Sequence, residues 1–271
     1  MSRIANRRAS LVFALSTSAS ACGQWGFADV EHHSVAPDAT AVDGLDTSGP
    51  DGGVAVPSDG ALAAGVDATV VTPGACPAGT VDGPLGATFD AGQPAWASIY
   101  QPGTGGVAFT AGRLVLSPSA AHPAPAYWGI FPAAGATDLR GHTFSVEVPT
   151  MVDPTRSTQV LLGLASDDGW YQLYQSLGQL TCERSAAGLV VSQGVPYSPS
   201  GHRWWRLREQ GGVVTCEASA DGLSWTEIGA NPSLPQLAAA GLELSAGLYR
   251  AEAGPLGQAA FDNLRHCIPA P

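Results

Sequence analysis

The sequence predicts an all-β domain, a sandwich or a barrel, over residues 76–268. Three observations carry this. Short β-like runs follow one another at roughly 8–12-residue spacing, the rhythm of antiparallel sandwiches and barrels. Gly and Asp-Gly turns, written GTGG, SDDG, QGG and ADG, separate them. The composition agrees, with 34 Gly, 21 Pro and only 13% charged residues in 271, which suits an extracellular β protein better than a helical one.

In chain order the runs are VAFT (107–110), RLVLSP (113–118), YWGIFP (127–132), HTFSVEVP (142–149), TQVLLGLAS (158–166) and WYQLYQS (170–176). LVVSQ (189–193), WWRLRE (204–209), VVTCEAS (213–219), SWTEIG (224–229), GLELSAG (241–247) and AAFDNLRH (259–266) complete them. The one helix candidate is short and Ala-rich, around Leu234–Ala240. Asp167-Asp168 before Gly169 reads as a turn, because adjacent strand residues point to opposite faces.

The stretch RWWRLREQGGVVTCEASADGLSWTEI, residues 203–228, specifies its own pairing. A two-residue Gly211-Gly212 turn is a favoured hairpin signal. It sets Trp204 opposite Ser219, Trp205 opposite Ala218, Arg206 opposite Glu217, Leu207 opposite Cys216 and Arg208 opposite Thr215. Trp205, Leu207, Val214, Cys216 and Ala218 then share an apolar face. Trp204, Arg206, Arg208, Thr215 and Glu217 share a polar one. A one-residue slip would bury arginines, so the register is well specified. The next turn, Asp221-Gly222, is expected to set Trp225 opposite Ala218 on the apolar face. Trp204 is expected to be exposed.

The first 22 residues read as an export signal. Arg3, Arg7 and Arg8 precede a mostly apolar run from Ala9 to Ala21, too short to span a bilayer. Ala19-Ser20-Ala21-Cys22-Gly23 resembles a bacterial lipobox with Ala in the usual Leu place, which implies lipidation of Cys22 and, with Gly23 next, the outer membrane or cell surface. Residues 23–75 hold eight acidic residues and no Lys or Arg. Their Gly, Pro, Ser and Ala cannot bury enough surface to order the segment, so it reads as a disordered tether. His32 and His33 within it have no carboxylate framework that would make a metal site. The net charge of −11 argues against nucleic acid and against electrostatic docking on anionic lipid. Setting Cys22 aside leaves Cys76, Cys182, Cys216 and Cys267, an even number that allows three connectivities in an oxidising compartment.

The hairpin also resembles that of concanavalin A-like lectin and glucanase domains, the laminin-G-like modules of bacterial lipoproteins. The matching residues are Trp204, Arg206 and Arg208, then Ser219, Asp221, Gly222 and Trp225, supported by RLVLSP, HTFSVEV and AFDNLRH. The resemblance covers about 76–267. It implies a two-sheet antiparallel jelly-roll sandwich behind the signal peptide and tether. Because such folds bring their termini together, it implies disulfides Cys76–Cys267 and Cys182–Cys216. It also implies a structural calcium ion near the paired termini, with Asp90 and Asp262 as candidate ligands; no other cofactor is expected.

Catalytic members of that group carry Glu-x-Asp-x-Glu on one strand, where period two aligns the carboxylates. HTFSVEVP holds only Glu147. The expectation is therefore a protein that is not an enzyme and binds a glycan or cell-surface polymer as a monomeric domain, held at a membrane by its lipid alone. The expected ligand residues are Trp204, Arg206, Arg208 and Glu217, with Trp170 and Tyr174 from WYQLY. An adhesion module for an envelope protein and an atypical glycosidase are the alternatives.

Overall fold

The structure, a computed structural model, describes Pro73 and residues 75–132, 137–166 and 169–271. Cys22, the export signal, almost all of the tether and Asp167-Asp168 lie outside the described residues.

Among the described residues, fifteen strands form two antiparallel sheets. They are β1 Thr80–Asp82, β2 Ala97–Tyr100, β3 Gly106–Thr110, β4 Arg113–Ser117, β5 Ala126–Pro132, β6 Thr143–Thr150, β7 Thr158–Ser166 and β8 Gly169–Ser176. Then follow β9 Gln179–Ala186, β10 Leu189–Pro196, β11 Trp204–Gln210, β12 Val213–Ser219, β13 Thr226–Pro232, β14 Gly241–Leu248 and β15 Ala259–Pro269. Sheet one runs β13-β12-β11-β6-β15-β4-β3, with β1 also on β15; sheet two runs β10-β9-β8-β7-β14-β5-β2. The helix candidate is a single 3-10 turn, Pro235–Ala239. Strands β1, β2 and β9 have no counterpart among the runs picked from the sequence. β9 matters most, because it carries Glu183.

The two inner faces pack as alternation dictates. Trp205, Leu207, Val214 and Cys216 of sheet one meet Leu162, Tyr171, Leu173 and Leu244 of sheet two in one apolar cluster. Both expected disulfides are present. Cys76–Cys267 ties the first described strand region to the last strand, and Cys182–Cys216 joins β9 to β12 across the core. Two such bonds belong to an oxidising, extracytoplasmic compartment. Among the described residues, no helix is long and apolar enough to cross a membrane.

The β11–β12 register is the one read from the sequence, pair for pair. Gly211 and Gly212 both take positive φ, +61° and +82°, as the tight turn requires. The next hairpin departs from expectation. The connection from Ala218 to Thr226 is a longer loop than a two-residue Asp221-Gly222 turn, so Thr226, not Trp225, faces Ala218; a bulge between Cys216 and Glu217 shifts the register again farther from the turn. One residue of slip moves a side chain to the other face of the sheet. Trp225 is thus not a core residue; it lies half-buried on the outer face under the Arg206 guanidinium, 4.0 Å from its ring centre.

A histidine pair closes the seam where the segment after β1 meets the last strand. The Leu85 amide donates to His266 Nδ1 at 3.1 Å, which assigns the His266 hydrogen to Nε2, donating to His142 Nδ1 at 3.0 Å. The His266 ring stacks on Phe144 with centroids 4.5 Å apart. Burial, then the neighbouring His142, pushes His266 down to about 4, and burial also lowers His142 despite the opposing fields of Asp138 and Glu209. The unfolded chain therefore binds more protons than the folded one between about pH 6.5 and 4. Stability present above pH 6.5 is lost as pH falls through that window, by roughly 2 kcal/mol after discounting for solvent access. Thermal melts across pH 4–7 should show this slope, and His266→Gln should flatten it; an equal slope in the variant would refute the assignment.

Candidate functional site

The structure does not bring the expected ligand residues together. Trp204, Arg206, Arg208 and Glu217 lie on the outer face of sheet one, whereas Trp170 and Tyr174 lie on the outer face of sheet two. The parity argument holds within each strand. What it could not supply is which sheet each strand joins.

On sheet one the expected platform is already occupied. Trp204 is only 5% exposed, so the expectation of an exposed tryptophan is corrected. Its strand lies between β12 and β6, and neighbouring long side chains cover the ring. Glu147, opposite Trp204, accepts Arg203 Nε at 2.6 Å and Asn263 Nδ2 at 2.8 Å. Glu217 accepts Arg206 Nε at 2.6 Å and Arg208 Nε at 3.4 Å. Arg206 is further committed to Trp225. A hollow of about 370 Å³ over Trp204 is walled by Arg203, Asp221 and Arg265. Charge there is matched by charge, with little surface left for a ligand to stack on.

The SADG turn beside it is structural. Ser219 Oγ accepts the amides of Asp221 and Gly222 at 3.2 and 2.9 Å, and Asp221 Oδ1 accepts those of Leu223 and Ser224, each at 2.8 Å. These amides hold the Asp221 carboxyl down at about 2.

Of the two calcium candidates, Asp262 is in an ion pair with Arg113 at 3.6 Å and takes the Asn263 amide, while Asp90 packs near Gly112. Among the described residues no group of three or more His, Cys, Asp or Glu is positioned to hold a metal.

A wider hollow of about 750 Å³ lies between Ser117–Ala121 and Glu252–Leu256. Its carboxylate, Glu252, is spent on the Ser157 amide and hydroxyl, at 2.7 and 2.6 Å, and on Arg156 at 3.6 Å.

Sheet two presents a different surface. Strand pairing places Glu183, Gln172, Gly163 and Glu243 side by side in one row across β9, β8, β7 and β14. Alternation sends Leu180 and Cys182, Tyr171 and Leu173, and Leu242 and Leu244 inward, which turns these four positions outward. Three strand spacings set the two glutamate backbones about 14 Å apart. Glu183 leans along the row onto β8, where its carboxylate accepts from three successive outward side chains: Trp170 Nε1 at 3.3 Å, Gln172 Nε2 at 2.7 Å and Tyr174 Oη at 3.2 Å.

The surface has a floor and a rim. Glu183, Gln172, Leu161, Ser245, Gln159 and Tyr127 are all under 10% exposed, although they face away from the core. Trp170, Tyr174 and Glu243 stand half-buried around them. Gly247 lets the Tyr127 ring lie directly on the sheet, since a Cβ there would sit 2.5 Å from that ring. Tyr127 Oη donates to Gln159 Oε1 at 2.5 Å. Burial first, then the fields of Glu243, Tyr249, Tyr174 and Glu183, pushes the Tyr127 phenol far above its ordinary value. Burial likewise raises the Glu243 carboxyl above the usual carboxylate range, against a hydrogen bond from Ser245 Oγ at 2.8 Å.

Sequence reasoning missed Glu183, Glu243, Gln172 and Tyr127. The signal for the two acids was present. Inward Cys182 and inward Leu242 and Leu244 make their neighbours Glu183 and Glu243 outward. Their lateral alignment depends on strand order and had no local signature.

No protein-family model matches the sequence, and no curated protein is significantly similar to it. Solved structures do share its architecture. SCLam, a non-specific endo-beta-1,3(4)-glucanase from family GH16, superposes with a TM-score of 0.52 at 9% identity, covering 73% of this chain and 95% of that one. The fold is the concanavalin A-like jelly roll. The kappa-carrageenase from Pseudoalteromonas carrageenovora, solved with an oligotetrasaccharide of kappa-carrageenan, gives a TM-score of 0.50 at 10% identity over 75% of this chain and 99% of that one. At such identity the likeness establishes the fold alone.

These neighbours correct one expectation. The chain was expected not to be an enzyme because it lacks a Glu-x-Asp-x-Glu strand. Both neighbours are enzymes by name, and this sheet collects its carboxyl groups from different strands, so that missing motif does not exclude catalysis.

Proposed function

We propose that this chain is an exported, lipid-anchored surface protein whose sandwich binds a glycan across the outer face of sheet two. The observation that carries this is Glu183, buried and held by Trp170, Gln172 and Tyr174 in the middle of that face. Half-buried aromatic rings offer flat apolar surface to a sugar ring, and fixed carboxylate and amide groups beside them orient its hydroxyls. Residues Ala19–Gly23 and the acidic stretch after them support anchoring through Cys22 and display away from a membrane.

One observation favours a second reading in which the bound glycan is also cleaved. Burial raises the Glu243 carboxyl from its ordinary value, the direction that suits a general acid. Glu183, an acceptor of three hydrogen bonds on the same face, is the second carboxyl group that such chemistry uses.

Both readings are tested on the same proteins. Affinity electrophoresis through a panel of soluble polysaccharides, with reducing-end release measured in parallel, should show binding that Trp170→Ala weakens at least about tenfold at unchanged melting temperature. Arg208→Ala, on the opposite sheet, should leave binding intact. Cleavage, where seen, should disappear in Glu243→Gln while binding persists. Retardation that survives Trp170→Ala but fails in Arg208→Ala would move the site to sheet one and refute the proposal.

A further inference from the structure

The charge on this face is one-sided. Of the outward side chains on the seven strands of sheet two, two are ionisable acids, Glu183 and Glu243, and none is a cation among the described residues. The chain contains no lysine, so only arginine could balance them.

The arginines are placed elsewhere. Arg113, Arg203, Arg206, Arg208 and Arg265 pair with acids on sheet one. Arg140 binds Asp138, and Arg156 binds Asp153 and Glu252. Arg184 shares the inward parity of Leu180 and Cys182 on β9. Arg250 reaches the margin, its guanidinium 5.7 Å from the Tyr249 ring centre, and is exposed beyond the end of β14. The neighbours of both glutamates are instead hydroxyl, amide and aromatic groups: Trp170, Gln172, Tyr174 and Ser245.

From this we infer that the face selects uncharged glycans and rejects sulfated or carboxylated ones. The inference rests on the glycan-binding reading above and adds the class of ligand. A sugar hydroxyl brings a donor to acceptor oxygens already fixed in place. A sulfate or carboxylate brings further negative charge to a partly desolvated surface whose acidic side chains have no guanidinium within the sheet beside them, and juxtaposed like charges are a strong negative selector. Rejection here is built from the absence of a partner, so no steric block is needed.

The test compares laminarin and xyloglucan, both neutral, with kappa-carrageenan and alginate, both anionic, on the full-length mature protein at low and high salt. The neutral polymers should bind at least about tenfold more tightly in low salt. High salt should narrow the gap by screening the repulsion. The pair of single variants Glu183→Gln and Glu243→Gln, each close in shape to the native side chain, should narrow it too, with Glu243→Gln serving if Glu183→Gln fails to fold. Anionic polymers that bind as tightly as neutral ones, in a manner abolished by Trp170→Ala, would overturn the charge selection and leave the site standing. A gap unchanged by both salt and the glutamine variants would overturn it as well. Binding of any polymer that is indifferent to Trp170→Ala, or no binding at all, would overturn the site itself.

Discussion

Replacing Cys76 and Cys267 together by alanine should lower stability by about 5 kcal/mol, because the bond closes a loop spanning 191 residues of sequence. In the chain-entropy description, that cross-link removes many open conformations from the unfolded chain. In the folded state it acts where the structure needs it least rigidly paired. β1 is three residues long and holds only β15, with Asp82 opposite Cys267. Without the bond, β1 and the Leu85–His266 contact are left to their own hydrogen bonds. Equilibrium urea unfolding of the oxidised and variant proteins should show a large fall in midpoint. An unchanged midpoint would mean that the ends are held by packing alone.

Trp205→Ala should cost about 3–5 kcal/mol, the range for deleting a large aromatic from a core. Trp205 is fully buried, and its Nε1 donates to the His202 carbonyl at 2.9 Å. Removing it leaves a cavity between the sheets and an unpaired carbonyl. Trp225→Ala is the informative companion. Trp225 sits outside the core under Arg206, so its loss should cost about 1 kcal/mol or less, the size of a partly exposed cation–π contact. Thermal and urea unfolding of both variants would check the pair. Equal losses would mean that Trp225 is a core residue after all, and that the Ala218–Thr226 pairing is wrong.

This pair of tryptophans shows how far local pattern reaches. In the first hairpin, alternation and the Gly211-Gly212 turn dictated every partner, because any slip buries Arg206 and Arg208. In the second, the same reasoning failed by one residue. The loop between the strands is longer than the two-residue Asp221-Gly222 turn, and nothing in SWTEIG penalises either face strongly enough to reveal the shifted register. The candidate site divides in the same way. That Trp170 and Tyr174 share a face followed from their spacing. That Glu183 and Glu243 share it with them did not, since three strand pairings intervene.

The sequence by itself determined the all-β class, the disulfide-bearing extracytoplasmic character and the in-or-out parity of each strand it recognised, because turn residues and alternation act over a few positions. Only the tertiary structure decided that Trp204 is covered, that five arginines are spent on sheet one, and that two glutamates from distant segments line up on sheet two. The physical reason is that the lateral order of strands in a sheet is set by long-range packing of the two inner faces. A residue's neighbours across the sheet are therefore written in no one stretch of the chain.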